Sequence, residues 1–180
     1  MSTRLVPIEN PANPLLKFFY WFSQKRLGKV ISPLKVIYAR LPISFGIWMN
    51  KMLSMEKKLP LSDELRLLIR VHVAQINMCN FCIDISKAEA IKKFESSTKF
   101  FHLHEFETSP LFSEREKLAL KFASEITEKK VLDETFEQIK KKFSEKEIIG
   151  ISWMVTSEHV FNLMNLTFNI ESDGFCQRKD

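Results

Sequence analysis

The chain has 180 residues, of which 45% are hydrophobic and 27% are charged, a composition typical of one soluble globular domain. No apolar run approaches the ~20 residues that a membrane span requires, and the first residues lack the apolar stretch of a signal peptide. We therefore expect a single domain over residues 1–180, located in the cytoplasm and without a membrane partner.

Positive charge is concentrated in the first 58 residues. Ten Lys and Arg residues there face only Glu9 and Glu56, which gives a formal +8 and leaves −3 for the rest of a chain that carries +5. Such asymmetry occurs in nucleic-acid-binding segments. Here, however, the cations alternate with aromatic residues at helical spacing, and no nucleic-acid-binding module is recognisable. We expect a solvated helix face and no nucleic-acid partner.

The apolar pattern predicts helices along the whole chain. Ser113 and Ser144 each precede a glutamate by three residues, which is the capping-box pattern of a helix start. The expected helices cover residues 15–27, 32–40, 43–58, 61–76, 83–94, 98–106, 113–129, 133–143 and 148–170. The third of these is expected to bury one face formed by Phe45, Trp48, Met49, Met52 and Met55. From Gly174 onward we expect a mobile polar tail.

Cys79 and Cys82 lie where one predicted helix gives way to the next. Unpaired backbone N–H groups at a helix start favour negative charge, and the thiolate is the reactive form of cysteine. Spacing alone leaves redox chemistry and incidental burial equally open. A zinc site would need two more ligands, and Cys176 is the only other cysteine, so we expect no metal.

The segment from Leu65 to Cys82 resembles the core motif of the carboxymuconolactone decarboxylase family, which includes the AhpD-like alkylhydroperoxidases. The resemblance continues through Ser109–Glu116 into the last helix and covers most of residues 60–170. It implies an all-α, single-domain helical bundle that assembles as a homotrimer or homohexamer and uses no cofactor. For members with C-x-x-C it implies an antioxidant enzyme that reduces a peroxide substrate at the expense of an external dithiol. By this resemblance Cys82 attacks and Cys79 resolves.

The proton-transferring residues differ from those of the typical alkylhydroperoxidase motif. Leu67 stands at the glutamate position of that motif and Ser86 at the histidine position. Some relatives instead carry a glutamate in the last long helix, which Glu158 matches. We therefore predict that Glu158 is the acid/base and that Ser86 bridges it to the thiols, with Glu64 and His159 as weaker candidates.

Two alternatives remain at this stage. A lactone decarboxylase of the same family would be a lyase with no need for a redox cysteine pair. A non-catalytic helical scaffold or partner-binding protein would carry its cysteines incidentally. As a helical relative of this family, the chain is also expected to bury large apolar side chains of its N-terminal helices between the subunits of a symmetric homo-oligomer. The candidates are Phe18, Phe19, Trp21 and Trp48.

Overall fold

The computed structural model describes residues 2–176, and every regular element within that range is helical. The expected all-α class is therefore confirmed. The helices are α1 Pro14–Leu27, α2 Ser32–Val36, α3 Pro42–Glu56, α4 Asp63–Ile76, α5 Asn80–Lys93, α6 Thr98–Phe101, α7 Glu114–Thr127, α8 Asp133–Lys142 and α9 Glu145–Thr167. Short 3-10 turns at Tyr38–Arg40 and Leu103–Glu105 interrupt two stretches that we expected to be continuous helix.

Local capping determines where the two best-predicted helices begin. Ser113 and Ser144 each accept a hydrogen bond from the backbone N–H of the glutamate three residues later. Those glutamates, Glu116 and Glu147, return the contact by accepting the N–H of the capping serine, at 2.8 Å in both cases. Two otherwise unpaired donors are thus satisfied at each helix start.

The main core lies between α4, α7, α8 and α9. It is continuous and apolar, and its fully buried side chains include Leu68, Phe100, Leu120, Ile139 and Ile151. A second, smaller cluster lies at the C-terminal end of α4, and we call it the cysteine cluster. It consists of Val36, Ile37, Tyr38, Ala74, Cys79, Phe81, Cys82 and Ile170. Within residues 2–176, no helix combines the length and the apolarity needed to cross a membrane.

The α3 helix is less buried than its sequence pattern predicts. Phe45, Trp48, Met49 and Met52 are only half-buried and Met55 is exposed, whereas the buried residue of α3 is Glu56. The prediction of one buried apolar face was therefore wrong. The physical reason is that α3 packs mainly against the Tyr38–Arg40 turn and α9, so part of its apolar face borders an open groove.

The segment that follows α9 packs against the body of the protein. Asp84 on α5 accepts hydrogen bonds from the backbone N–H groups of Phe175, at 2.9 Å, and Cys176, at 2.6 Å. Asp173 accepts two further bonds from Ser32. The predicted mobile tail is thus held in place as far as Cys176, and the rest of it, residues 177–180, lies outside the described residues.

Candidate active site

The C-terminal end of α4 determines where the first cysteine lies. Met78 adopts a left-handed conformation, with φ of 55°. The chain then turns back, so that the N–H of Cys79 bonds to Ala74 and that of Met78 bonds to Gln75, each at 3.0 Å. These two bonds form a Schellman motif, in which glycine normally occupies the left-handed position. Cys79 is thereby fixed directly at the end of α4.

The two cysteines form a disulfide at the start of α5. Cys79 is the N-cap residue and Cys82 lies in the first turn, with Cα atoms 5.3 Å apart. Both are almost fully buried, with exposed fractions of 1% and 4%. The expected position at a helix start is confirmed, and it is a position where the helix macrodipole favours a thiolate.

Asn165 on α9 contacts both sulfur atoms. Its Nδ2 group donates to Cys82 Sγ at 3.3 Å and lies 3.9 Å from Cys79 Sγ. The side chain is buried, and its Oδ1 atom has no hydrogen-bond partner within the described part of the chain. The sequence analysis did not identify Asn165, because a single asparagine in an amphipathic helix gives no signal of a contact 83 residues away.

Glu158 lies on the same face of α9, two turns before Asn165, and is buried at 3% exposure. Its Oε1 accepts a hydrogen bond from Asn162 at 2.5 Å, and its Oε2 is 3.7 Å from Nε of Arg70. Arg70 also pairs with the buried carboxylate of Glu56 at 2.5 Å. The Glu158 carboxylate is therefore buried together with polar partners on its own helix and on α4.

Burial raises the pKa of Glu158 to about 7, although Arg70 and the Asn162 hydrogen bond act in the opposite direction. The carboxyl group therefore exchanges a proton near neutral pH, as an acid/base catalyst must. It does not contact the sulfur atoms. At ~1.5 Å rise per residue, the seven residues that separate it from Asn165 correspond to roughly 10 Å along the helix axis.

The other candidate acids are placed differently. His159 is half-buried, its Nδ1 is 3.4 Å from Nδ2 of Asn77, and burial lowers its pKa. Glu64 forms an ion pair with Lys99 at 3.2 Å, at the end of α4 opposite to the cysteines. The structure thus does not bring Glu64 to the cysteine pair.

Ser86 is buried on α5, one turn beyond Cys82. The polar contacts of the Glu158 carboxylate are to Asn162 and Arg70, so a bridge through Ser86 stays a prediction. Tyr38 belongs to the cysteine cluster, and burial together with the charge of Glu158 raises its pKa. Tyr38 thus packs in the cysteine cluster and is close enough to Glu158 for the carboxylate charge to act on its hydroxyl group.

Comparison with known proteins gives the fold a name. No family model matches the chain. An uncharacterized protein, YnjA, from Escherichia coli strain K12 is 26% identical over 165 residues, which span 87% of each chain. Among solved structures, a peroxidase-related protein from Ralstonia eutropha JMP134 with an alkylhydroperoxidase AhpD core aligns with a TM-score of 0.69. It is 19% identical, and the alignment covers 94% of this chain and 95% of that one. The chain has the AhpD-like fold.

A second solved structure matches more closely in shape. The debrominase Bmp8 aligns with a TM-score of 0.82 at 19% identity, over 97% of this chain and 95% of that protein. At this level of identity both matches establish the fold alone. Within residues 2–176, no group of three or more His, Cys, Asp or Glu side chains is arranged to hold a metal ion.

Proposed function

We propose that the protein is a thiol-dependent peroxidase that reduces a peroxide through Cys79 and Cys82. The observation that supports this most directly is the disulfide between two buried cysteines at the start of α5. The AhpD-like fold of a peroxidase-related protein supports the same reaction. The alternative of an incidental cysteine pair does not account for the buried amide that Asn165 directs at both sulfur atoms.

The reaction begins with the reduced dithiol. The Cys82 thiolate attacks one oxygen of the peroxide, the O–O bond breaks, and the cysteine becomes a sulfenic acid while an alkoxide leaves. The alkoxide takes up a proton and departs as an alcohol, or as water when the substrate is hydrogen peroxide. Cys79 then attacks the sulfenic sulfur, water leaves, and the disulfide forms. An external dithiol restores both thiols by exchange and is itself oxidised to a disulfide.

Glu158 supplies the proton in this proposal. Its pKa of about 7 leaves much of the carboxyl group protonated at neutral pH. A proton must still cover the distance to the cysteine cluster, and we propose that the buried hydroxyl groups of Tyr38 and Ser86 relay it. General acid catalysis of this kind contributes about 10²- to 10⁴-fold to a rate.

The test is a peroxidase assay with hydrogen peroxide or cumene hydroperoxide and dithiothreitol as reductant. Cys82→Ser and Cys79→Ser should each reduce turnover to background, whereas the matched control Cys176→Ser should retain it, because Cys176 lies outside the disulfide. Mass spectrometry of peroxide-treated protein should show a Cys79–Cys82 disulfide. Wild-type protein that loses no thiols to peroxide would overturn the proposal and favour a scaffold.

Assembly into a homo-oligomer is also part of the proposal. Phe18 and Trp21 on α1 expose 54% and 55% of their surface, and their rings lie 5.9 Å apart. Exposed aromatic patches of this kind are typical of subunit contacts. Light scattering should report a trimer or hexamer, and Trp21→Glu should reduce its mass. A wild-type species of ~21 kDa at micromolar concentration would contradict assembly.

Reductive debromination is a second candidate, favoured by the closer match in shape to the debrominase Bmp8. A variant of that protein with one cysteine replaced by alanine has been solved in complex with 2,3,4-tribromopyrrole. In this chain, an apolar groove of about 470 Å³ lies between α3 and α9 and is lined in part by Phe45, Trp48, Trp153 and Met164. Phe45 and Met164 also pack against the cysteine cluster.

In that reaction two thiols become a disulfide while an aryl C–Br bond is replaced by C–H and bromide leaves. Reduced protein should then release one bromide per disulfide formed when it is mixed with 2,3,4-tribromopyrrole. A faster reaction with the bromopyrrole than with either peroxide would select this candidate. The absence of bromide would exclude it and leave the peroxidase proposal unaffected.

A further inference from the structure

We infer that Asn165 sets the chemistry of the cysteine pair: its Nδ2 group stabilises the Cys82 thiolate, and its Oδ1 atom accepts the S–H of Cys79 once the disulfide is reduced. The inference deepens the proposed thiol chemistry and rests on it. It also gives a structural reason for assigning attack to Cys82, which the sequence supported only by resemblance.

The geometry favours one sulfur atom over the other. The Asn165 amide lies 3.3 Å from Cys82 Sγ but 3.9 Å from Cys79 Sγ, so only the former is well within the range of a hydrogen bond to sulfur. A hydrogen bond to an anion is stronger than one to a neutral acceptor. The bond therefore strengthens when Cys82 becomes a thiolate, and the pKa of that thiol falls relative to the pKa of Cys79.

The other half of the amide has no partner in the oxidised protein. Buried amide oxygens are nearly always hydrogen-bonded, and an unsatisfied one is costly. Asn165 Oδ1 is such an atom, and a disulfide has no proton to offer it. Reduction creates two protonatable sulfur atoms beside the amide, one to receive the N–H as a thiolate and one to donate an S–H to the oxygen. The site is thus better satisfied as a dithiol than as a disulfide.

Two quantities should therefore depend on Asn165. Loss of a hydrogen bond to an anion should raise the Cys82 pKa by about one to two units, which is a tenfold to hundredfold loss of thiolate below that pKa. The equilibrium constant for reducing the disulfide with glutathione should fall by about tenfold, because the substitution removes more hydrogen bonds from the reduced state than from the oxidised state. Neither measurement requires a peroxide.

The experiment compares Asn165→Leu with wild type. Leucine has the same branching of side-chain heavy atoms as asparagine but no hydrogen-bonding group, and Asn165→Ala, which also has none, is the second variant should the leucine variant not fold. Reduced protein is alkylated with iodoacetamide from pH 5 to pH 10, and mass spectrometry assigns the label to each cysteine. Redox equilibrium is measured in glutathione buffers. We expect Cys82 to react first in wild type and to lose that advantage in both variants.

Asn162→Leu is the matched control, because Asn162 is equally buried on the same helix and donates to Glu158 rather than to sulfur. It should leave the Cys82 pKa unchanged. If the Cys82 pKa shifted equally in the Asn162 and Asn165 variants, the cause would be a general loosening of α9, and the inference would be overturned. An unchanged Cys82 pKa in Asn165→Leu would also overturn it. If Cys82→Ser lost peroxidase activity but the Asn165 variants kept the wild-type Cys82 pKa, this inference alone would be refuted. An Asn165-dependent pKa without peroxidase activity would refute the proposed function alone.

Discussion

The two halves of α9 bury opposite kinds of side chain on one continuous face. The first half contributes Ile148, Ile151, Met154 and Val155 to the main core. Its second half buries Ser157, Glu158, Asn162 and Asn165, and the last of these contacts the cysteines. Apolar burial stabilises the fold at about 25 cal/mol per Å², whereas a buried polar group costs free energy unless it is paired. One half of the helix therefore stabilises the protein, whereas the other buries polar side chains that need partners and includes the residues that the proposed function uses.

The largest expected effect separates these halves directly. Ile151→Ala should lower the free energy of unfolding by about 2–5 kcal/mol, because it opens a cavity at a fully buried position of the main core. The Cys82 thiol pKa of the molecules that remain folded should not change. Urea unfolding measures the first quantity and alkylation the second. A shifted pKa at unchanged stability would show that the two halves are not separate.

A smaller effect tests the polar half through pH. Because the pKa of Glu158 is raised from 4.5 to about 7, the folded state holds its proton more tightly than the unfolded state. This group's contribution to stability is therefore full below pH 4.5 and is lost as pH rises to 7. The loss is at most about 3 kcal/mol at 1.36 kcal/mol per unit. Glu158→Gln should show no such loss in urea unfolding across this range.

His72 provides a control of opposite sign. It contacts Ser124 at 2.7 Å, packs against Phe106, and burial lowers its pKa to about 4. As pH falls, His72 is protonated in the unfolded chain before it is protonated in the folded protein, so stability is lost from pH 6.5 to pH 4. His72→Gln should remove this loss on acidification and leave the Glu158-dependent loss of stability from pH 4.5 to 7 in place. If Glu158→Gln instead removed the loss of stability on acidification, the groups assigned to the two pH-dependent losses would have to be exchanged.

The smallest expected effect concerns the left-handed residues that follow α4 and α7. Met78 and Lys129 both adopt left-handed backbone conformations, with φ of 55° and 61°, which side chains other than glycine adopt with strain. Met78→Gly and Lys129→Gly should each stabilise the protein by about 0.5–1 kcal/mol in urea unfolding. A gain at Lys129 alone would indicate that the strain before Cys79 is compensated by contacts within the cysteine cluster.

Local chemistry explains what the sequence could predict. The capping serines Ser113 and Ser144, and the cysteines at a helix start, depend on contacts within a few residues, so their patterns are visible in the chain itself. The position of Glu158 in the middle of an apolar helix left it either exposed or paired, and only the structure shows that it is buried. The identity of its partners could not be predicted, because Arg70 lies on another helix.

Long-range contacts explain what the sequence could not predict. Asn165 reaches Cys82 across 83 residues, and Glu56 was assigned no role because nothing near it in the chain indicates burial beside Arg70. The α3 pattern was misleading for a related reason. A periodic apolar face shows which residues share a side of a helix, but it does not show how much of that side a neighbouring helix covers.

The order in which the site is made follows from the place of α9, the last helix in the described residues. Cys79 and Cys82 are synthesised before Asn165, which lies 83 residues beyond Cys82. At ~5–20 residues per second, translation takes roughly 4–17 s to cover that distance. During this interval both thiols have left the ribosome's catalytic centre, but the helix that shields them has not yet been made. The nascent chain thus passes through a period in which both thiols have been made and Asn165, which contacts them in the folded protein, has not.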